Sequence, residues 1–565
     1  MNANKKGLFT MDDGKNMIVT FALVSSLFFL WAVCNGMIDV MDKHFQTELG
    51  LSKAQSAWVQ FAHYLGYFLM SMPAGLLASR FGYRWGIIAG LLMVAVGGFW
   101  FLPATHINAL ARAGSVSPTT AFVGYLVGVC AIAAGLTFLE TVANPYTTVL
   151  GPKQYAATRI NLAQSCNGLG WIFGPIIGSM FFYSKDAAGR STGNETLYIP
   201  YVIVAVIVLV LAVVFYFANI PDIKTEDDYH LDEKDAAGET ATVERKVNRG
   251  LVYFLMVLNS AVLVGIFAMI LSLIFSAINY RQTFVWIASC LLLTVAIVAL
   301  MPLAKRMSHQ SIWSHPHFSS ATLAQFFYVA AQAGIFSFFI NSMTPDTKTG
   351  FSIVPPIPAS WDQAMTHLSD SAKHFVQWLP NWLGWFIHWL PGWLLGWFEP
   401  NKNGVLGISD KGAACLASVG FFCFLVGRFT GAGLLKKFSA HKILGLYGVL
   451  NVAACFLIFL NLGWLSVACI FLSYFFMSIM FPTIFALGIF GLGDRAKKAA
   501  AYIVMAIMGG AILPKLMGYV ADKHDMSCGY IVPLFCFAFV ALYGFIWPKL
   551  SGAESLQALK SPGDH

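Results

Sequence analysis

Fourteen apolar runs, each about 20 residues long and nearly free of charge, follow one another through the 565 residues of the chain, and each is long enough to cross a bilayer as a helix. A chain so built has few ways to fold. In hydrocarbon every backbone N–H and C=O must be satisfied within its own segment or in a closed barrel, and the sequence lacks the short alternating segments of barrel strands. With 58% hydrophobic and 11% charged residues, the composition excludes a soluble globular domain and predicts an all-α polytopic membrane protein. The excess of 8 positive charges suits anionic cytoplasmic lipid and gives no reason to expect nucleic acid.

The runs lie at about 17–41, 57–79, 86–103, 120–150, 159–183, 199–220, 251–279, 283–303, 319–343, 409–435, 443–461, 464–491, 499–521 and 530–548. Basic residues gather in every second connection, among them Lys5, Lys6 and Lys15, Arg80 and Arg84, Lys153 and Arg159, Lys305 and Arg306, Lys436 and Lys437, and Arg495, Lys497 and Lys498. The positive-inside rule makes those connections cytoplasmic, together with the termini, 1–16 and 549–565, and predicts a multi-pass protein of the cell (inner) membrane. Nearly all of the ten cysteines fall inside apolar runs with no CxxC pair, so they read as small core residues. His309, His315 and His317 lack metal-ligand company and read as loop residues.

The two halves of the chain look alike. Pro145 to Gly151 reads PYTTVLG and Pro482 to Gly488 reads PTIFALG, at the same place in the fourth span of each six-span half. Such weak internal symmetry predicts two bundles, 17–220 and 319–548, with a substrate site between them near the midplane. Residues 221–250 carry nine acids and five bases and read as a cytoplasmic linker. Residues 251–303 add a transmembrane hairpin, either a lipid-facing accessory or an oligomer contact. An external insert, 344–408, carries Trp378, Trp382, Trp385, Trp389, Trp393 and Trp397. In a helix these would form one stripe, so a broken amphipathic helix lying in the outer interface is expected.

Glu140 is the costly residue. It follows an uncharged stretch from Ala121 to Leu139, and an ionised side chain near a bilayer centre costs roughly 2.5 to 3.5 kcal/mol on insertion scales. An acid retained there faces protein or water and is functional by default. The symmetry of the halves breaks at this point, because the equivalent residue is Met477. Amides also recur within the spans, at Asn35, Gln60, Asn161, Gln164, Asn167, Gln325, Gln332 and Asn341, with Trp31 and Tyr328 as rings. Each amide alone reads equally as an interhelical hydrogen bond. Together with a carboxylate they suit sugar hydroxyls, while the rings suit the C–H face. Lys515 follows Pro514, with Asp522 seven residues on along the same face, and the two read as a gating ion pair or as Lys515 snorkelling outward.

Several stretches resemble the fucose-galactose-proton symporter family of the major facilitator superfamily. Phe28-Phe29-Leu30-Trp31-Ala32-Val33 with Asn35 and Asp39 is similar to its first helix, and Leu139-Glu140-Thr141 with Ala143-Asn144-Pro145 to its fourth. Arg159 with Asn161-Leu162-Ala163-Gln164 resembles the fifth, Leu323-Ala324-Gln325-Phe326 with Tyr328 and Gln332 the seventh, and Gly427-Arg428-Phe429-Thr430-Gly431 the eighth. The resemblance covers about 17–220 and 319–548, and omits the hairpin and the Trp insert. It implies the major facilitator fold, twelve core helices in two bundles, and alternating-access uptake of a fucose-, galactose- or glucose-like monosaccharide driven by protons. Asp39 and Glu140 match the two acids that the family uses for protonation and sugar recognition. The chain departs from the family where Ile38-Asp39 replaces an Asn-Asp pair and where His63 replaces an aromatic residue, which offers a further proton route. No cofactor beyond the coupling proton is expected, and a monomer in the bilayer suffices. A proton-linked exporter of a less polar small solute is the alternative. A membrane enzyme would need polar catalytic groups at a membrane edge, so none is expected.

Overall fold

A computed structural model describes residues 8–11, 14–151, 156–186, 191–218, 220, 250–259, 261–262, 265, 312–346, 349–381, 388, 390–400, 404–435, 438–490, 492 and 496–551. The linker, most of the 251–303 hairpin, His309, Cys290 and the final residues lie outside these stretches, and so does the Asn161 side chain.

The first half opens with a long helix, α1 (Ile18–Leu49), which ends where Gly50 turns left-handed at φ 64°. One turn, α2 (Lys53–Ser56), follows, with Ser52 and Gln55 forming a capping box. The second and third spans form one helical stretch, α3 (Trp58–Arg112), bent at Gly82. Its φ of 84° is a conformation that only glycine adopts at little cost, and it lets the basic Arg80–Arg84 segment turn the chain back. Then come α4 (Pro118–Val149), α5 (Ala156–Phe182), the single turn α6 (Gly193–Thr196) and α7 (Tyr198–Phe217). A short apolar helix, α8 (Gly250–Asn259), is most of what is described of the hairpin region.

The second half consists of α9 (Pro316–Ser337) continued by α10 (Phe339–Met343), the insert, α13 (Asp410–Leu435), α14 (Ala440–Phe459) and α15 (Trp464–Met477), which breaks into α16 (Met480–Ile489). It closes with α17 (Ala496–Met505) running through a 3-10 turn into α18 (Gly509–Lys523), the turn α19 (Met526–Gly529) and α20 (Ile531–Ser551). Among the described residues, nine helices are long and apolar enough to span a membrane. Three more helical passes complete twelve: the Trp58–Gly82 arm of α3, α5, and α9 with α10. These three fall short on apolarity for a reason: they carry Gln60 and His63, Gln164 and Asn167, and Gln325 and Gln332. Twelve of the fourteen expected spans thus fall among the described residues, the two of the 251–303 hairpin lie largely outside them, and the last helix runs to Ser551, into the expected tail.

Close helix packing is built on small residues. A Cβ at Gly174 would fall 2.7 Å from the Gly36 Cα, and one at Gly170 would fall 2.3 Å from the Phe29 carbonyl, so α1 and α5 touch backbone to backbone. The halves meet along α5 with α13, α3 and α2 with α18, and α1 with α9.

The insert is described in part. It holds an amphipathic helix, α11 (Ala359–Trp378), which ends on the first Trp of the run, and Leu379 ahead of Pro380 is already extended. Trp382, Trp385 and Trp389 lie outside the described residues. A turn, α12 (Leu390–Leu394), and a two-stranded hairpin, β1 (Phe398–Pro400) with β2 (Leu406–Ile408), lead into α13. His317 likewise belongs to a helix, where its Nε2 lies 2.9 Å from the Phe490 carbonyl.

Candidate functional site

Helical spacing puts Trp31, Asn35, Asp39 and Asp42 on one face of α1, and Gln60, His63, Tyr64 and Tyr67 on one face of α3. Where these faces meet, Gln60 Nε2 donates to Asp39 Oδ1 at 3.1 Å and lies 3.5 Å from Asp42 Oδ2. Asp39 is 7% exposed and Asp42 fully buried. About two turns along α3, Tyr67 lies near Glu140 on α4 and near Asn35 and Trp31 on α1, where Trp31 Nε1 and Asn35 Oδ1 are buried without a hydrogen-bond partner among the described residues. The His63 ring sits between these tiers, 5.0 Å from Tyr64 and 5.1 Å from Tyr67. A line of polar side chains thus runs from Asp42 to Glu140 along the wall that the first half presents to the second.

The second half contributes Gln325, Tyr328 and Gln332, at i, i+3 and i+7 on α9. Gln325 is fully buried, and neither end of its amide finds a partner among the described residues. Tyr328 donates to the Met477 carbonyl at 3.0 Å. The Arg428 guanidinium stays inside the bundle, with its Nε 3.5 Å from the Ser478 carbonyl and its Cζ 4.9 Å above the Phe424 ring. Both side chains serve the α15–α16 break, where Pro482 has no N–H to offer the Ser478 carbonyl. Over the site, Trp171 of α5 lies 4.8 Å from Phe421 and 5.8 Å from Phe336, which stacks on Tyr474 at 4.5 Å.

Not every amide joins this site. Gln164 donates to Asn144 Oδ1 at 3.0 Å, and Asn167 to the Phe28 carbonyl at 3.4 Å, so both tie α5 to its neighbours. Asn341 donates to Gln46 Oε1 at 2.6 Å in a latch that joins the halves at one end of the bundle. There Lys53 Nζ lies 2.6 Å from Asp346 and 3.9 Å from Asp522, and Lys43 lies 3.7 Å from Asp410. Asp522 also accepts the Lys53 and Ala54 backbone N–H groups at 3.0 and 2.9 Å. Lys185 pairs with Glu399 at the same end. Lys515 and Asp522 do not pair with each other: the Lys515 ammonium stands 3.4 Å over the Trp58 ring, and each faces the first half instead.

Sequence reasoning missed Asp42, Tyr64, Tyr67 and Lys53. Asp42 is three residues from Asp39, so helical periodicity carried the signal, but Asp42-Lys43-His44 reads as a polar span end.

Residues 18–377 match the Major Facilitator Superfamily model. The L-fucose-proton symporter of Escherichia coli (strain K12) is 28% identical over 546 residues, which cover 94% of this chain and 93% of that protein. A glucose/galactose transporter of Brucella abortus biovar 1 (strain 9-941) is 25% identical over 534 residues, 94% of each chain. Among solved structures, the E. coli fucose:proton symporter FucP, seen in an outward conformation, superposes with a TM-score of 0.53 at 27% identity, covering 94% of this chain and 99% of that one. The E. coli xylose transporter XylE, inward open, superposes at 0.51 with 12% identity, over 94% of this chain and 95% of that one, a likeness of fold alone.

Proposed function

The chain belongs to the Major Facilitator Superfamily, and from that premise we propose that it is a proton-coupled transporter of a monosaccharide of the fucose, galactose or glucose kind. The observation that carries this reading is the polar line from Asp42 to Glu140 in the first half, together with the buried, unpartnered amide of Gln325 in the second. A fully buried amide with both ends unpaired costs about 1–3 kcal/mol. A sugar hydroxyl, donor and acceptor at once, answers that need and rewards a sugar over a less polar solute. The relatives named for fucose-proton and glucose/galactose transport, each aligned over 94% of this chain, support the same substrate class.

In this reading Asp39 and Glu140 carry the proton, with His63 between them. Asn35, Gln60, Gln325 and Gln332 pair with hydroxyls, and Trp31 and Tyr328 offer ring faces. Glu140 alternates between a proton and a sugar hydroxyl, which makes loading of one a condition for release of the other. Gln164, Asn167 and Asn341 act through helix positioning, given the bonds they already make. The basic connections orient the chain in a cell (inner) membrane with both termini cytoplasmic. The latch end is then external and shut.

The test is uptake of a labelled sugar panel into proteoliposomes with and without an inward proton gradient. Wild type is expected to accumulate at least one monosaccharide only with the gradient. Glu140→Gln is expected to lose accumulation while keeping sugar exchange. Undiminished accumulation in Glu140→Gln, or no response to any sugar, overturns the reading.

A further inference from the structure

Asp42 has no place in the family resemblance, yet it shares a hydrogen-bond donor with Asp39. One nitrogen, Gln60 Nε2, reaches Asp39 Oδ1 at 3.1 Å and Asp42 Oδ2 at 3.5 Å, from residues one helical turn apart and almost wholly out of solvent. The second oxygen of each, Asp39 Oδ2 and Asp42 Oδ1, is buried and takes no hydrogen bond from the described residues. We propose that Asp39 and Asp42 are one proton-holding unit, bridged by Gln60, and that Asp42 is a further residue of the coupling machinery.

Two buried carboxylates one helical turn apart and sharing one neutral amide donor couple as like charges, so they titrate as a pair rather than as two sites. The groups around them do not break that pairing. The phenols of Tyr64 from α3, Tyr183 just beyond α5, Tyr201 from α7 and Tyr474 from α15 lie near enough to feel the charge of one or both acids and bring no positive charge, and Ser337 stands near Asp42 from α9. The cation next along α1, Lys43, is turned to Asp410 in the latch. Asp42 therefore stands between the acid of the transport site and the contact that shuts one end. A proton entering the pair converts a carboxylate into an O–H donor, and the bond made by that O–H replaces charge repulsion across the two acids. The proton leaves again as a proton, so the step changes no redox state and needs no other reactant.

This inference rests on the proton-coupled reading, so its test has a readout independent of transport. The pH-difference infrared spectrum of the purified full-length protein is recorded for wild type, Asp39→Asn, Asp42→Asn and the double variant, with Glu140→Gln identifying the separate band of Glu140. Either aspartate substitution is expected to remove the same carboxylic C=O band, with the double variant removing nothing more. Two independent bands, lost additively, or an unchanged spectrum in Asp42→Asn, overturn the pair. In proteoliposomes Asp42→Asn is expected to lose gradient-driven accumulation and to keep sugar counterflow, which also certifies its fold, while Asp42→Glu restores accumulation. Wild-type accumulation with a wild-type pH profile in Asp42→Asn overturns the role in coupling. A wild type without any gradient dependence overturns the transporter reading instead, and the infrared bands still decide the pairing.

Discussion

The Tyr328 hydroxyl donates to the backbone carbonyl of Met477 at 3.0 Å, at the position where the first half of the molecule has Glu140. On one side of the pseudo-symmetry a tyrosine, Tyr67, faces a carboxylate; on the other a tyrosine is satisfied by main chain. The carbonyl is free to accept because α15 breaks after Met477, and the acid is unnecessary there because the phenol already has its partner. The acids buried within the spans of the proposed site, Asp39, Asp42 and Glu140, thus all belong to the first half.

Tyr328→Phe removes that bond and leaves a buried carbonyl at a helix break. A loss of about 1–3 kcal/mol in stability is expected, the cost of an unsatisfied buried group. Arg428→Met is expected to cost at least as much, because the Ser478 carbonyl loses its side-chain donor ahead of Pro482. Thermal unfolding of both variants in detergent checks the order, and a wild-type midpoint for Tyr328→Phe would show that the break holds itself.

The latch sets which end is shut. Lys53 is the residue shared by Asp346 and Asp522, and its own backbone N–H also binds Asp522. Lys53→Met cuts both ion pairs and keeps the backbone bonds. A shift of about 1–2 kcal/mol is expected, between the values for exposed and for buried pairs, and each 1.4 kcal/mol is tenfold in the ratio of the two conformations. Spin labels placed on either side of the latch end should report a larger long-distance population in Lys53→Met and a still larger one in Lys53→Met with Asp522→Asn.

Lys515 over Trp58 joins α18 to α3 without an acid. A desolvated cation–π contact is worth about 1–2 kcal/mol, so Trp58→Leu should lower the unfolding midpoint and also loosen the closed end, whereas Trp58→Phe should keep part of both. Equal effects of Leu and Phe, read by the same spin labels, would mean that only ring volume matters.

How much of this was legible in the sequence follows from what kind of interaction each part uses. The helices were, because hydrocarbon forces a run of about 20 apolar residues wherever the chain crosses. Glu140 and Asp39 stood out for the same reason, as charges where charge is costly. The latch did not, because Lys53 pairs with residues 293 and 469 positions away, and loop-end charges look alike until the two bundles close. Asn341 read as a sugar amide on span position alone, and only its Gln46 partner places it in the latch. In the insert the Trp spacing drew attention to 378–397, which is only partly within the described residues, and not to the stretch upstream, where Trp361, Met365, Leu368, Ala372 and Phe375 repeat with helical period and Pro380 marks the end of α11.

The two halves touch closely where α18 crosses α3. A Cβ on Gly510 would fall 2.3 Å from the Tyr64 ring, and Tyr64 in turn stands among Asp39, Glu140 and Tyr328. Gly510→Ala cannot be absorbed by the backbone of α18, which is helical there, so the ring must leave the site or the halves must part. Overpacking of this kind costs about 1–3 kcal/mol, and it falls on the closed arrangement alone, because that contact disappears when the bundles separate. Gly510→Ala is therefore expected to reduce transport and to enlarge the open population at the latch end, with the unfolding midpoint changing less. Tyr64→Leu makes room for the methyl group, so in the double variant the added cost of Gly510→Ala should shrink by about 0.5–3 kcal/mol, the range of coupling between touching residues. Additive effects in that cycle would mean that the methyl group is resisted by something other than Tyr64, and that the crossing of α18 over α3 does not set the closed state.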